Sequence, residues 1–178
     1  MRNQGRKLTT LSLLVAVGIL MQLIESFFPI FVMIPGYKIG LANIAGLFAL
    51  YAYGNKEMVI VTALRVFISA LATGTLFSVS FVLSCTGCFF SCIAMILTKN
   101  AKRFSIYGVS TAGAVCHTFG QIIAITFIYA QFFMATLAPI LSALSVVSGL
   151  CIAYLSAILL RRLRKQEWHQ ANQEIGLE

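Results

Sequence analysis

Few side chains in this sequence could do chemistry away from water, and each stands alone in an apolar run. Arg65 lies between Ala63-Leu64 and Val66-Phe67. Its guanidinium stays charged in any protein setting and presents a planar fork of donors, so it anchors an anion or completes an ion pair. For the ion pair, Glu25 is the one acidic candidate inside the membrane; its place four residues before Pro29 equally suits a carboxylate solvated near the outer surface. Both readings of Arg65 stay open. His117 and Gln121 stand four apart, one helical turn, and share a face. His117 reads as a structural group bonded to neighbouring helices, and Gln121 as the better candidate for a ligand contact. Ser78, Ser80 and Ser84 either line a wet cavity or bond back to their own helix.

A second cluster is contiguous. Pro35-Gly36-Tyr37-Lys38-Ile39-Gly40-Leu41-Ala42-Asn43 has glycines on both sides of Tyr37 and Lys38, a flexible turn able to fold over a cavity. The helix that follows begins with backbone N–H groups facing outward, an arrangement that favours an anion. Lys38 adds charge and Asn43 directional hydrogen bonds, so together with Arg65 they form a pocket for a carboxylate or phosphate. Taken alone, Lys38 is an ordinary solvated interfacial lysine. Tyr37, Phe77 and Phe81 offer aromatic surface for a ring or chain. Cys85 and Cys88 make a Cys-x-x-Cys, but all five cysteines lie in apolar runs, and His117 is the only nitrogen ligand there. No metal site and no cofactor is expected.

The elements that must position these groups follow from composition. Of 178 residues, 60% are hydrophobic and 10% charged, and the mean hydropathy is +0.93. A soluble domain carries about 25% charged residues. The net charge of +8 suggests nucleic acid at first sight, but the basic residues fall in short clusters between apolar runs, which excludes a nucleic-acid-binding face. The expected fold is all-α, a polytopic membrane protein in a single domain over residues 1–178. Its six transmembrane helices cover residues 8–28, 41–53, 57–72, 76–97, 107–130 and 137–160. Continuous apolar runs lack the alternation of barrel strands. The second and third runs just reach or fall short of the about 20 residues needed for a crossing, and charge placement decides for keeping both. With the amino terminus cytoplasmic, one side collects Arg2, Arg6, Lys7, Lys56, Lys99, Lys102, Arg103, Arg161, Arg162, Arg164 and Lys165, eleven of 13 basic residues. Both termini are then cytoplasmic.

The first run is too long for a signal-peptide core and no Ala-x-Ala site precedes Pro29, so it reads as a retained helix. Residues 161–178 form a basic and polar cytoplasmic tail, its end from Gln166 a frayed helix end. Ser145, Gly149, Ala153 and Ala157 make a small-residue stripe for close packing, either within the bundle or against a partner, and Ser12 and Ala16 a shorter one. A phosphate loop of the form Gly-x-x-x-x-Gly-Lys-Ser/Thr is missing, so any ATP is hydrolysed elsewhere. A proton-coupled carrier would need a titratable group at mid-depth, where only His117 qualifies.

The stretch 35–100, with Pro-Gly-Tyr-Lys-Ile-Gly-Leu-Ala-Asn, Leu64-Arg65-Val66, Gly74-Thr75-Leu76-Phe77-Ser78 and Ser80-Phe81, resembles the membrane family labelled heptaprenyl diphosphate synthase component I, also called the Gx transporter family. That family is similar to the substrate-binding S components of energy-coupling factor (ECF) transporters. The resemblance implies a six-helix protein in a prokaryotic plasma membrane that captures a small molecule from outside. Transport then uses a transmembrane coupling subunit and two ATPase subunits as partners. S components often dock that subunit through Ala-x-x-x-Ala on the first helix, where this chain has Ser12 and Ala16. Prenyl synthases hold magnesium diphosphate with aspartate-rich motifs, and this sequence contains no Asp, so catalysis by this chain is not expected. A regulatory membrane subunit of a prenyl synthase is the alternative. The residues expected to bind substrate are Arg65, Lys38, Asn43, Tyr37, Gln121, Ser80, Ser84 and Glu25.

Overall fold

The computed structural model describes residues 2–27, 40–130 and 136–175. Tyr37 and Lys38 lie outside the described residues. Among the described residues there are six helices and no strand: α1 (Arg2–Phe27), α2 (Asn43–Ala52), α3 (Asn55–Ala72), α4 (Val79–Asn100), α5 (Ile106–Tyr129) and α6 (Ala138–Ile175). Four of them, α1, α4, α5 and α6, are long and apolar enough to cross a membrane. Their polarity is inverted relative to a water-soluble domain. Leu13, Phe89, Phe127 and Val147 face outward, while Ser110, Thr118, Ser145 and Ser156 are buried. That is how a chain arranges itself when its surroundings are hydrocarbon.

The second apolar run condenses to the ten residues of α2, which rise about 15 Å, half of a hydrocarbon core about 30 Å thick. Gly54 sets its far end. At φ 121°, ψ −172° this residue adopts a conformation nearly restricted to glycine, and it reverses the chain directly into α3. The reversal lays α2 against the first two-thirds of α3, with Gly46 of α2 facing the Thr62 hydroxyl. The carboxyl end of α2 meets cations: Lys99 donates to the Leu50 carbonyl at 2.6 Å and lies over the Tyr51 ring. This suits the negative end of the helix dipole. Nearby, Lys7 pairs with Glu57 at 2.5 Å and lies over the Tyr53 ring.

Helices α4, α5 and α6 pack closely because small residues face them. A Cβ on Gly120 of α5 would come 2.8 Å from the Thr86 carbonyl oxygen of α4, and one on Gly149 of α6 would come 2.8 Å from Thr111 Cα of α5. The Ser110 hydroxyl donates to the Gly149 carbonyl at 2.6 Å, and the Thr118 and Ser145 hydroxyls bond each other. The stripe on α6 therefore serves the bundle interior, whereas Ser12 and Ala16 are exposed on α1. Ser78 starts α4, its hydroxyl accepting from Phe81 N at 3.4 Å. α6 continues through the basic cluster as helix as far as Ile175. By contrast α3 touches α4 only thinly, and a groove of about 530 Å³ runs between them on the bundle exterior.

These contacts separate two glycines. Gly120→Ala drives a methyl group into a backbone carbonyl and should destabilise the protein by about 1–3 kcal/mol. Gly5→Ala meets nothing within 4 Å and should be neutral or stabilising by up to about 1 kcal/mol through helix propensity. Thermal unfolding in detergent checks both. An unchanged midpoint for Gly120→Ala would contradict the close approach of α4 and α5.

Candidate functional site

Arg65 is the eleventh of the 18 residues of α3 and is only 2% exposed. Its stem lies across α1 at Gly18, where a Cβ would sit 2.6 Å from Arg65 Cδ and 3.2 Å from Ala45 Cβ. Glycine at this point lets α1 and α2 close over the arginine. Nη2 donates to Asn43 Oδ1 at 3.1 Å and points at Cys88 Sγ at 3.0 Å. Among the described residues Nε and Nη1 are buried with no hydrogen-bond partner. Among the described residues no carboxylate forms a salt bridge with the guanidinium.

Asn43 is the first residue of α2, so the half-length helix brings its amino end to the level of Arg65. The sequence reading gave this end outward-facing N–H groups for an anion. The structure uses them internally: Asn43, Ile44 and Ala45 donate to the carbonyls of Gly40, Leu41 and Ala42 in tight turns. The N–H of Leu41 donates to Glu25 Oε1 at 2.5 Å. Glu25 is thus neither the salt-bridge partner of Arg65 nor a simply solvated carboxylate. It is half-buried and supplies the negative charge at the amino end of α2, as the helix dipole favours.

His117 of α5 completes the surround. Its Nε2 lies 3.1 Å from Gln121 Nε2, the contact expected from their one-turn spacing. Its ring fills the space left by two glycines: a Cβ would come within 2.8 Å of it from Gly87 and 3.2 Å from Gly40. Gly40 also has φ 88°, a left-handed turn that suits glycine. Gln121, 1% exposed, braces His117 instead of lining the space in front of Arg65.

Glu25, Asn43, Arg65, Ser84, His117 and Gln22 line a chamber of about 10 Å³, roughly one water molecule. Ser84 donates to the Ser80 carbonyl at 2.9 Å, the bond back to its own helix. Ser80 lies apart from Arg65, in a second small cavity with Ser69, Thr73 and Phe81. Phe81 packs edge-on against Phe77 at 6.2 Å; Phe77 itself is 84% exposed and faces away from the chamber. Sequence reasoning missed two chamber residues. Gln22 carries a legible signal, since Gly18, Gln22 and Glu25 share one face of α1. Cys88 carries none, because a cysteine in an apolar helix reads as packing.

The charge balance is the chemical point. A buried cation costs several kcal/mol unless its donors are met. Among the described residues Arg65 has an amide oxygen and a thiol as partners and two nitrogens, Nε and Nη1, whose three N–H donors are unmet, and the positive end of α2 adds to its potential. One carboxylate, Glu25, borders the same chamber and is bonded to Leu41 N before α2. The arrangement is suited to holding an oxyanion.

Fold and site together define an α-helical membrane protein with a small polar chamber around a buried arginine at the end of a half-length helix. Residues 14–159 match the family described as heptaprenyl diphosphate synthase component I, and the chain belongs to that family. No curated protein and no solved structure matches the chain.

Because the chamber leaves Arg65 under-compensated, Arg65→Met should keep or raise the stability of the ligand-free protein, by up to about 1–4 kcal/mol as for other buried ionic groups replaced by apolar ones. Thermal unfolding of the two proteins measures this. A large loss of stability would mean that Arg65 is a structural tie.

Proposed function

We propose that this protein is the substrate-binding membrane subunit of an uptake system of the ECF type, capturing a small anionic or amphipathic solute from outside. The observation that carries this reading is the guanidinium of Arg65, 2% exposed and bordering the chamber, with two buried nitrogens unmet among the described residues. A planar fork with free donors in low dielectric binds a carboxylate or phosphate strongly and with fixed orientation. Asn43 and His117 supply polar contacts beside it. The chamber has room for about one water, so substrate enters by displacing its wall.

In this reading all six helices cross the plasma membrane of a prokaryote, with α2 and α3 acting together at the centre and both termini cytoplasmic. The clustering of Lys7 and Lys99 at the carboxyl end of α2 supports that orientation. The chain lacks a phosphate loop and contains no Asp, so energy comes from a coupling subunit and two ATPase subunits, and the chain is not an enzyme.

The family description favours a second reading, a membrane subunit that assembles with a prenyl diphosphate synthase. Copurification separates the two. An uptake subunit brings down a membrane coupling protein with ATPases; a synthase subunit brings down a soluble prenyl synthase. Native mass spectrometry of the purified protein should show a retained anionic small molecule, with Arg65→Met reducing its occupancy at least tenfold. Full occupancy in the variant would refute the role given to Arg65.

A further inference from the structure

Resting on the reading of Arg65 as an anion anchor, we infer that the ligand is a single-chain amphiphile. Its oxyanion head meets Arg65, and its hydrocarbon chain lies in the lateral groove between α3 and α4. The groove, about 530 Å³, has the size of small-molecule sites, about 300–1,000 Å³. Among the described residues no charged side chain lines it. Ala63 and Phe67 form one wall, Phe81 and Phe89 the other, and Thr62 and Cys88 the floor.

What ties this groove to the chamber is Cys88. Its side chain borders both spaces, and its Sγ lies 3.0 Å from Arg65 Nη2. One side chain therefore separates hydrocarbon-lined space from an under-compensated guanidinium. A thiol is a weak hydrogen-bonding partner for a cation, and an anionic oxygen replaces it readily. Ala63 and Phe67 flank Arg65 in α3, so chain and head sit at one depth. The groove opens sideways, where α3 meets α4 only thinly, and a chain reaches it without crossing the packed α4–α5–α6 side. Among the described residues only α3 and α4 line the groove, so a second chain on the same head would find no protein wall there. This selects a one-chain ligand over a diacyl lipid.

The test places the full protein in phosphatidylcholine nanodiscs and measures binding of dodecyl phosphate and dodecanoate against their chainless counterparts, methyl phosphate and acetate, and against dodecanol. At least one anionic dodecyl compound should bind ten times or more tighter than its counterpart. Ala63→Phe, which fills the groove from an exposed position, should weaken it tenfold or more, as should Arg65→Met. Should Ala63→Phe not fold, alkylation of Cys85 in the groove gives the second readout, slowed by the dodecyl anion and not by the chainless one.

Equal affinity with and without the chain, with both lost in Arg65→Met, overturns the groove assignment and leaves the anion anchor standing. Dodecanol binding as tightly as the anions, or no effect of Arg65→Met, overturns the anchor too. Displacement of the dodecyl anion by phosphatidylglycerol added to the nanodisc overturns the single-chain choice, and no binding by any anion overturns the ligand class.

Discussion

Two sources of positive potential meet at one buried point, the guanidinium of Arg65 and the amino end of α2. Neither can be moved without rebuilding the bundle. Gly54 fixes where α2 turns into α3, and ten residues of α2 then end beside the eleventh residue of α3. Glu25 reaches this point from α1 and bonds Leu41 N, leaving Arg65 with Asn43 and Cys88. The surrounding helices are shaped around that meeting. Gly18 makes room for the arginine stem, and Gly40 and Gly87 make room for the imidazole of His117.

A half-length helix at the centre is stable only if its ends are satisfied by other elements, since hydrocarbon offers no hydrogen bonds. The carboxyl end of α2 is met by Lys99 on α4, and the turn before its amino end by Glu25 on α1. One helix from each side of the bundle is thereby tied to α2. Glu25, which meets the turn before α2, also lines the chamber with Arg65 of α3 and Cys88 of α4, so the start of the interrupted helix and the geometry around Arg65 share one side chain.

Much of this was legible in the residues. Apolar runs gave six helices close to their observed positions, and the i, i+4 spacing of His117 and Gln121 gave their contact. Arg65 at the middle of a run gave a buried cation, for which no lipid-facing placement is affordable. The short second run was flagged by its length alone. What was not legible depends on where separate helices meet. Glu25 looked peripheral because its depth is set by the start of α2, which periodicity does not reveal. Gln121 looked like a contact, yet His117 stands in front of it. Cys88 looked like packing because its importance comes from α3. Tyr37 and Lys38 lie outside the described residues.

The chamber and the groove pose one physical question from opposite sides: what lowers the energy of a guanidinium placed next to hydrocarbon. Protein groups could have done so fully. A carboxylate on α4 in place of Cys88 would neutralise the cation and satisfy its donors, and the helical position is within reach, as the 3.0 Å approach of Sγ shows. The sequence instead places there a small, weakly interacting thiol that is shared with an apolar groove. A buried charge left incompletely paired is a standing cost to the ligand-free fold, and the same incompleteness gives differential affinity to any anion that can reach it. In a site of this kind, weak partners around a fixed strong charge carry the selectivity.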